Sequence, residues 1–154
     1  MNLWLSQLKD PVPDGLKTPA ELARFELSHA LPDPAVTLAE DASLGDGYRI
    51  EALDDGSFHI AGGSTGLLYG AYRLILDRLC GETIPDSVES APKYALRMID
   101  CWDNPDGTIE RGYAGRSLFF ADGKLSWDPE RIRELGRLLA SAGLNVLCIN
   151  NVNV

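Results

Sequence analysis

The chain has 154 residues, about one domain's worth, with 45% hydrophobic and 24% charged residues. This composition is ordinary for a soluble globular protein and excludes a disordered tail, a collagenous rod and a membrane protein, since no run approaches the ~18 apolar residues of a spanning helix. The net charge of −9 repels nucleic acid phosphates and anionic membranes, so neither is expected as a partner.

Residues 1–6 lack the basic and apolar regions of a secretory leader, which predicts a cytoplasmic protein. They alternate through Leu3 and Leu5 as an edge strand would. Pro11, Pro13 and Gly15 mark a turn. Thr18, Pro19 and Glu21 then spell a helix start with a capping box. Leu22, Phe25 and His29, with Ala23 and Glu26 between, are the expected apolar stripe of that helix, which ends before Pro32 and Pro34.

Three strands are predicted next, over residues 35–38, 47–53 and 57–61. The last two alternate through Tyr48 and Ile50 and through Phe58 and Ile60, and Asp54-Asp55-Gly56 between them reads as a hairpin turn. His59 falls on the opposite face, toward solvent. A helix runs from the 62–66 glycine turn to about Cys80, with Leu67, Leu68, Ala71, Leu74, Ile75 and Leu79 on its apolar face and Gly81 as its stop. The glycine turn lacks the spacing of a phosphate-binding loop, so it reads as a tight strand-to-helix turn with Ser64 near the cap. Tyr48, Ile50, Phe58, Ile60, Leu68, Tyr72 and Ile75 are the expected core. Together these elements make a small α/β domain over residues 1–85, a sheet with two helices, followed by a linker over 86–94.

Residues 95–99 form a short apolar strand, and residues 102–120 a long loop rich in Gly, Asp, Asn and Arg. A loop of that length is usually functional or disordered, and its aromatic and glycine content argues for function. Asp128-Pro129-Glu130 starts another helix, with Ile132, Leu135, Leu138, Leu139 and Ala142 on one face and Gly143 at its end. Residues 144–149 then run almost continuously apolar, as in a strand buried on both faces. Such a strand needs more neighbours than residues 95–154 supply, so this part reads as the beginning of something larger. Its edge also offers a surface for self-association.

Cys80, Cys101 and Cys148 lie in separate contexts without a C-x-x-C, which predicts buried free thiols in a reducing compartment. No set of His, Cys and carboxylates has metal-ligand spacing. Neither a metal nor a cofactor is expected, and no Ser-His-Asp arrangement is legible.

The string Arg97-Met98-Ile99-Asp100-Cys101-Trp102-Asp103-Asn104, continued by residues 106–117, resembles the opening of the catalytic barrel of family 67 glycoside hydrolases, the microbial α-glucuronidases. Gly143-Leu144-Asn145 and Asn150-Asn151-Val152-Asn153 resemble the end of that family's first barrel strand. Residues 35–80 resemble the α/β domain that precedes such barrels, also found before those of hexosaminidases. Where the family usually has Asn-His before Trp-Asp-Asn, this chain has Asp100-Cys101.

The resemblance implies an α/β protein in two parts: a hexosaminidase-like sheet-plus-helices domain, then from residue 95 the start of a (β/α)8 barrel. It implies removal of glucuronic acid, or its 4-O-methyl ether, from glucuronoxylan-derived oligosaccharides with inversion. Two carboxylates ~6.5–9.5 Å apart are required for that chemistry. In the family they stand on later barrel strands, so no catalytic residue is expected within this chain.

For substrate contact the resemblance points to Trp102, Asn150, Asn151 and Val152, because active sites of this barrel gather at the C-terminal ends of strands. Trp102 could stack on a sugar ring, or simply pack in a core. The Asn side chains could meet sugar hydroxyls, or shape a loop. Val152 matches a family position beside the sugar's 4-position. Asp103, Glu110, Arg111 and Arg116 form either a substrate network or the ion pairs of a long loop. Two functions stay open: the N-terminal part of a glycoside hydrolase, and a non-catalytic α/β module that binds carbohydrate or serves structure.

Overall fold

The computed structural model describes residues 11–33, 35–126 and 128–150. The strand expected over residues 1–6 lies outside them, as do Asn151 and Val152. The chain forms a mixed α/β structure that divides into two compact units, Met1–Ala95 and Leu96–Val154.

In the first unit, α1 (Pro19–Ala30) begins as its sequence dictates. The Glu21 amide donates to Thr18 Oγ1 at 3.2 Å, and the Glu21 carboxylate accepts from the Thr18 amide at 3.0 Å. Strands β1 (Val36–Glu40), β2 (Tyr48–Ala52) and β3 (Phe58–Gly62) follow, then α2 (Ser64–Cys80) and β4 (Ser87–Ser90). The sheet order is β1-β3-β2-β4, with β1 parallel to β3 and the other pairs antiparallel. β4 occupies the stretch read from the sequence as linker. It is a polar edge strand held by backbone pairing to β2, so it has no apolar alternation to reveal it.

Tyr48, Ile50, Phe58, Ile60, Leu68, Tyr72 and Ile75 are all buried, as expected. The alternation of β2 and β3 sends Tyr48, Ile50, Phe58 and Ile60 to one sheet face, and α2, with Leu68, Tyr72 and Ile75, lies on that face. Its close seat depends on Gly70, where a Cβ would come within 2.8 Å of Ile60 Cγ2. On the other face His59 meets Thr37 Oγ1 at 2.8 Å. Gly81, at φ 72°, ends α2 in the left-handed region.

Two details differ from expectation. The free thiols are not buried, since Cys80 is exposed and Cys101 and Cys148 are only partly covered. α1 turns Ala20, Ala23, Glu26 and Leu27 inward; Ala23 and Glu26 belong to the expected stripe, whereas Leu22 and Phe25 are half-buried and His29 is exposed. The small alanines let α1 approach α2, and the Tyr72 hydroxyl donates to Glu26 Oε1 at 2.9 Å in the buried seam. Ser64 stands near the cap of α2 as expected, as the first helical residue, and the cap itself is Gly63, with no side-chain hydrogen bond. The reason is crowding: a Cβ at Gly63 would strike the Gly45 carbonyl, and one at Gly66 the Gly47 carbonyl. The glycine turn is therefore a close backbone crossing.

In the second unit, β5 (Met98–Trp102) and β8 (Val146–Asn150) form a parallel pair, joined through a long loop and α3 (Pro129–Ser141). Asp128 caps α3, its carboxylate accepting from the Glu130 amide at 3.0 Å. The loop contains a small hairpin, β6 (Phe120–Ala121) and β7 (Lys124–Leu125), turned by Asp122 and Gly123 at positive φ, as a two-residue Asp-Gly hairpin requires.

The strand expected to be buried on both faces is half-covered here. Leu147 and Cys148 are partly exposed, Ile149 is 45% exposed, and Met98 and Ile99 on β5 are exposed as well. In a two-stranded sheet each strand has one neighbour. The α3 face is likewise incomplete: Leu138 is exposed and Arg137 is buried. No helix among the described residues is long and apolar enough to cross a membrane.

Candidate functional site

The start of the β5–β8 pair is fixed by a reciprocal clamp. The Arg97 amide donates to Asn145 Oδ1 at 2.9 Å, and the Asn145 amide donates to the Arg97 carbonyl at 2.9 Å. Arg97 Nε adds a 2.6 Å bond to the Gly143 carbonyl. This clamp sets the register, which places Asp100 opposite Cys148 and Trp102 opposite Asn150. Residues two apart on a strand share a face, so Asp100, Trp102, Cys148 and Asn150 form one patch at the C-terminal ends of both strands.

Asp100 is the hub of that patch. Its Oδ2 accepts from Trp102 Nε1 at 3.1 Å and makes a long 3.5 Å contact with Asn150 Nδ2. The Cys148 thiol also donates to Asp100. That bond, then burial, raises the Cys148 thiol above its ordinary value. Burial first, then the Asp103 and Asp100 carboxylates, raises Cys101. Trp102 is 44% exposed, so it is not a core residue within its unit.

Beyond β5 the chain turns inward. Asp103 is buried, and its amide donates to the Asn150 carbonyl at 3.1 Å, tying the loop to β8. Asp103 Oδ1 is buried without a hydrogen-bond partner among the described residues, an arrangement that calls for a water or a further polar group. Asn104, also buried, donates from Nδ2 to Thr108 Oγ1 at 3.2 Å. The Asp106 carboxylate accepts from the Thr108 hydroxyl at 2.7 Å and the Thr108 amide at 2.8 Å, which lowers its pKa.

The loop is ordered by its own backbone and side-chain bonds, in keeping with its aromatic and glycine content. Bridges pair Asp103 with Ile109 and Thr108 with Arg116, and Ser117 Oγ accepts from the Phe119 and Phe120 amides. Glu110 and Arg111 both take positive φ. The structure separates the four charged loop residues: Asp103 is inside, whereas Glu110, Arg111 and Arg116 are exposed.

The site therefore brings Trp102 and Asn150 together and leaves Glu110, Arg111 and Arg116 on the loop surface. Asp100, absent from the sequence-derived candidates, joins them. Its signal was the i, i+2 spacing to Trp102, which puts a carboxylate and an indole on one strand face. Among the described residues no group of three or more His, Cys, Asp or Glu could hold a metal ion. The patch offers an aromatic face, an amide and a carboxylate acceptor, groups suited to a ring that carries hydroxyls.

Comparison with known proteins adds kinship to this geometry. Residues 80–154 match the glycosyl hydrolase family 67 middle domain. Probable alpha-glucuronidase A of Aspergillus clavatus is 39% identical over 122 residues, covering 79% of this chain and 14% of the relative. Its namesake in Neosartorya fischeri is 43% identical over 88 residues, covering 57% of this chain and 10% of that protein. Alpha-glucuronidase A of Emericella nidulans is 37% identical over 116 residues, covering 71% of this chain and 14% of that protein. The chain thus spans about a seventh or less of the length of these curated relatives.

Proposed function

The chain belongs to glycosyl hydrolase family 67, and from that premise we propose that it forms the N-terminal domain and first barrel segment of an α-glucuronidase. The substrate in this reading is a xylo-oligosaccharide bearing glucuronic acid or its 4-O-methyl ether. The first unit corresponds to the hexosaminidase-like domain before the barrel. β5, α3 and β8 correspond to the barrel's opening strand, helix and strand.

One observation carries this reading. Trp102 and Asn150 stand side by side at the C-terminal ends of two adjacent parallel strands joined through a helix. That is the end of a barrel strand where substrate is met. Trp102 supplies a stacking face for the sugar ring, and Asn150 borders the same ring. The exposed Met98, Ile99 and Ile149 suit burial by further barrel strands and helices.

Hydrolysis with inversion needs an acid on the leaving oxygen and a base acting through water. In this reading both carboxylates come from later barrel strands. Asp103 and Glu110 belong to one loop, one buried and one exposed, and are not assigned as the acid and the base.

The test is release of glucuronic acid from aldouronic oligosaccharides by the 154-residue chain, alone and as Glu110→Gln. No turnover is expected from either. Turnover that disappears in Glu110→Gln would move the catalytic assignment into the 103–117 loop.

A further inference from the structure

We infer that Asp100 is a positioning residue that fixes the orientation of the Trp102 indole before a sugar arrives. The inference rests on the reading of Trp102 as a sugar contact. An indole has a single polar handle, the Nε1–H donor. On an exposed strand end, nothing about the backbone selects one orientation of so large a side chain. Here that donor is engaged by Asp100 Oδ2 at 3.1 Å. The bond pins one edge of the ring and leaves the apolar faces for stacking.

Three donors converge on this carboxylate: the Trp102 indole, the Asn150 amide and the Cys148 thiol. Hydrogen bonds to an ionised acceptor are roughly twice as strong as neutral ones, so one carboxylate orders the patch across both strands. Asp100 is itself exposed, and its truncation opens no cavity in a core. Its role concerns arrangement more than folding. Pre-ordering one bulky side chain strengthens binding about three- to tenfold.

The experiment uses the 154-residue chain. Its Trp102 indole N–H resonance is identified by its loss in Trp102→Ala, and sugar affinity is read by saturation transfer to an aldouronic oligosaccharide. In Asp100→Ala the indole resonance is expected to shift and exchange faster with water, with the backbone spectrum otherwise preserved and affinity about three- to tenfold weaker. Asp100→Asn keeps an acceptor oxygen and is expected to retain both the indole signal and the affinity. An indole resonance unmoved in Asp100→Ala, with binding lost in Trp102→Ala, overturns the positioning role alone. A shifted indole with unchanged affinity in Asp100→Ala also overturns it. Binding unchanged in Trp102→Ala overturns the sugar-contact reading itself, and the role of Asp100 with it.

Discussion

Trp102 Nε1 donates to Asp100 Oδ2 at 3.1 Å, across one pleat of the same strand. The bond joins the residue with the largest stacking face in the patch to the only carboxylate among its four members, Asp100, Trp102, Cys148 and Asn150. Because β5 and β8 are in parallel register, ordering Asp100 also orders Cys148 and Asn150.

The thiols report on this patch. Cys148 is raised by its bond to Asp100, and Cys101 by burial. Both are expected to alkylate with rates that rise at higher pH than for an ordinary thiol. Asp100→Ala, which removes the acceptor, should bring the Cys148 profile back down while leaving most of the Cys101 shift. Peptide-resolved iodoacetamide labelling against pH checks this. With folded values raised, the corresponding stabilisation is complete below the unfolded thiol value and is lost as pH climbs through the folded one.

Asp106 gives the opposite sign. The Thr108 hydroxyl and then the Thr108 amide hold its carboxyl below the ordinary aspartate value. The stabilisation it lends the turn is present above the unfolded value and lost as pH falls through the lowered one. An NMR titration should give a midpoint below that of a free aspartate, and Thr108→Val should move it upward. A midpoint unchanged in Thr108→Val would contradict the assigned cause.

Gly66→Ala should destabilise the first unit. Its Cβ meets the Gly47 carbonyl, a backbone atom that cannot rotate away. Overpacking of this kind costs ~1–3 kcal/mol, or a melting temperature lower by several degrees. Ala71→Gly on the same helix lacks the clash and should cost only about 1 kcal/mol of propensity plus the loss of one buried methyl. Thermal unfolding of the two variants separates the effects.

β8 should also govern association. Its partly exposed face, together with Met98, Ile99 and Ile149 on the unit's surface, is expected to make the 154-residue chain self-associate at rising concentration. Ile149→Lys should shift sedimentation toward the monomer. A wild-type chain that stays monomeric with strongly protected amides over 146–150 would show that this strand pair is sufficient by itself.

The first unit was legible because its signals are local. Thr18 and Glu21 meet within one turn, and the alternation through Tyr48, Ile50, Phe58 and Ile60 needs only one sheet face to bury. Where partners are distant in sequence, the reading failed. The inward face of α1 is set by Ala20, Ala23 and a Glu26 whose partner Tyr72 lies 46 residues away. Hydrophobicity alone favoured Leu22 and Phe25 over Ala20. β4 is polar and is joined to β2 by backbone pairing and by the Arg49–Glu89 ion pair at 3.2 Å, partners 40 residues apart. At the site, Trp102 and Asn150 followed from resemblance, but Asp100 emerged only with the register that sets it beside both.

Saturation-transfer NMR of the 154-residue chain with a 4-O-methylglucuronic acid-bearing xylo-oligosaccharide tests the central claim most directly, because it detects contacts too weak for calorimetry. Transfer to the uronic acid ring protons is expected for the wild type and should fall about tenfold or more in Trp102→Ala, as for the loss of one aromatic stack of ~0.5–1.5 kcal/mol together with its buried area. Equal transfer in wild type and Trp102→Ala, or transfer that responds to Arg116→Ala and not to Trp102→Ala, would contradict the account.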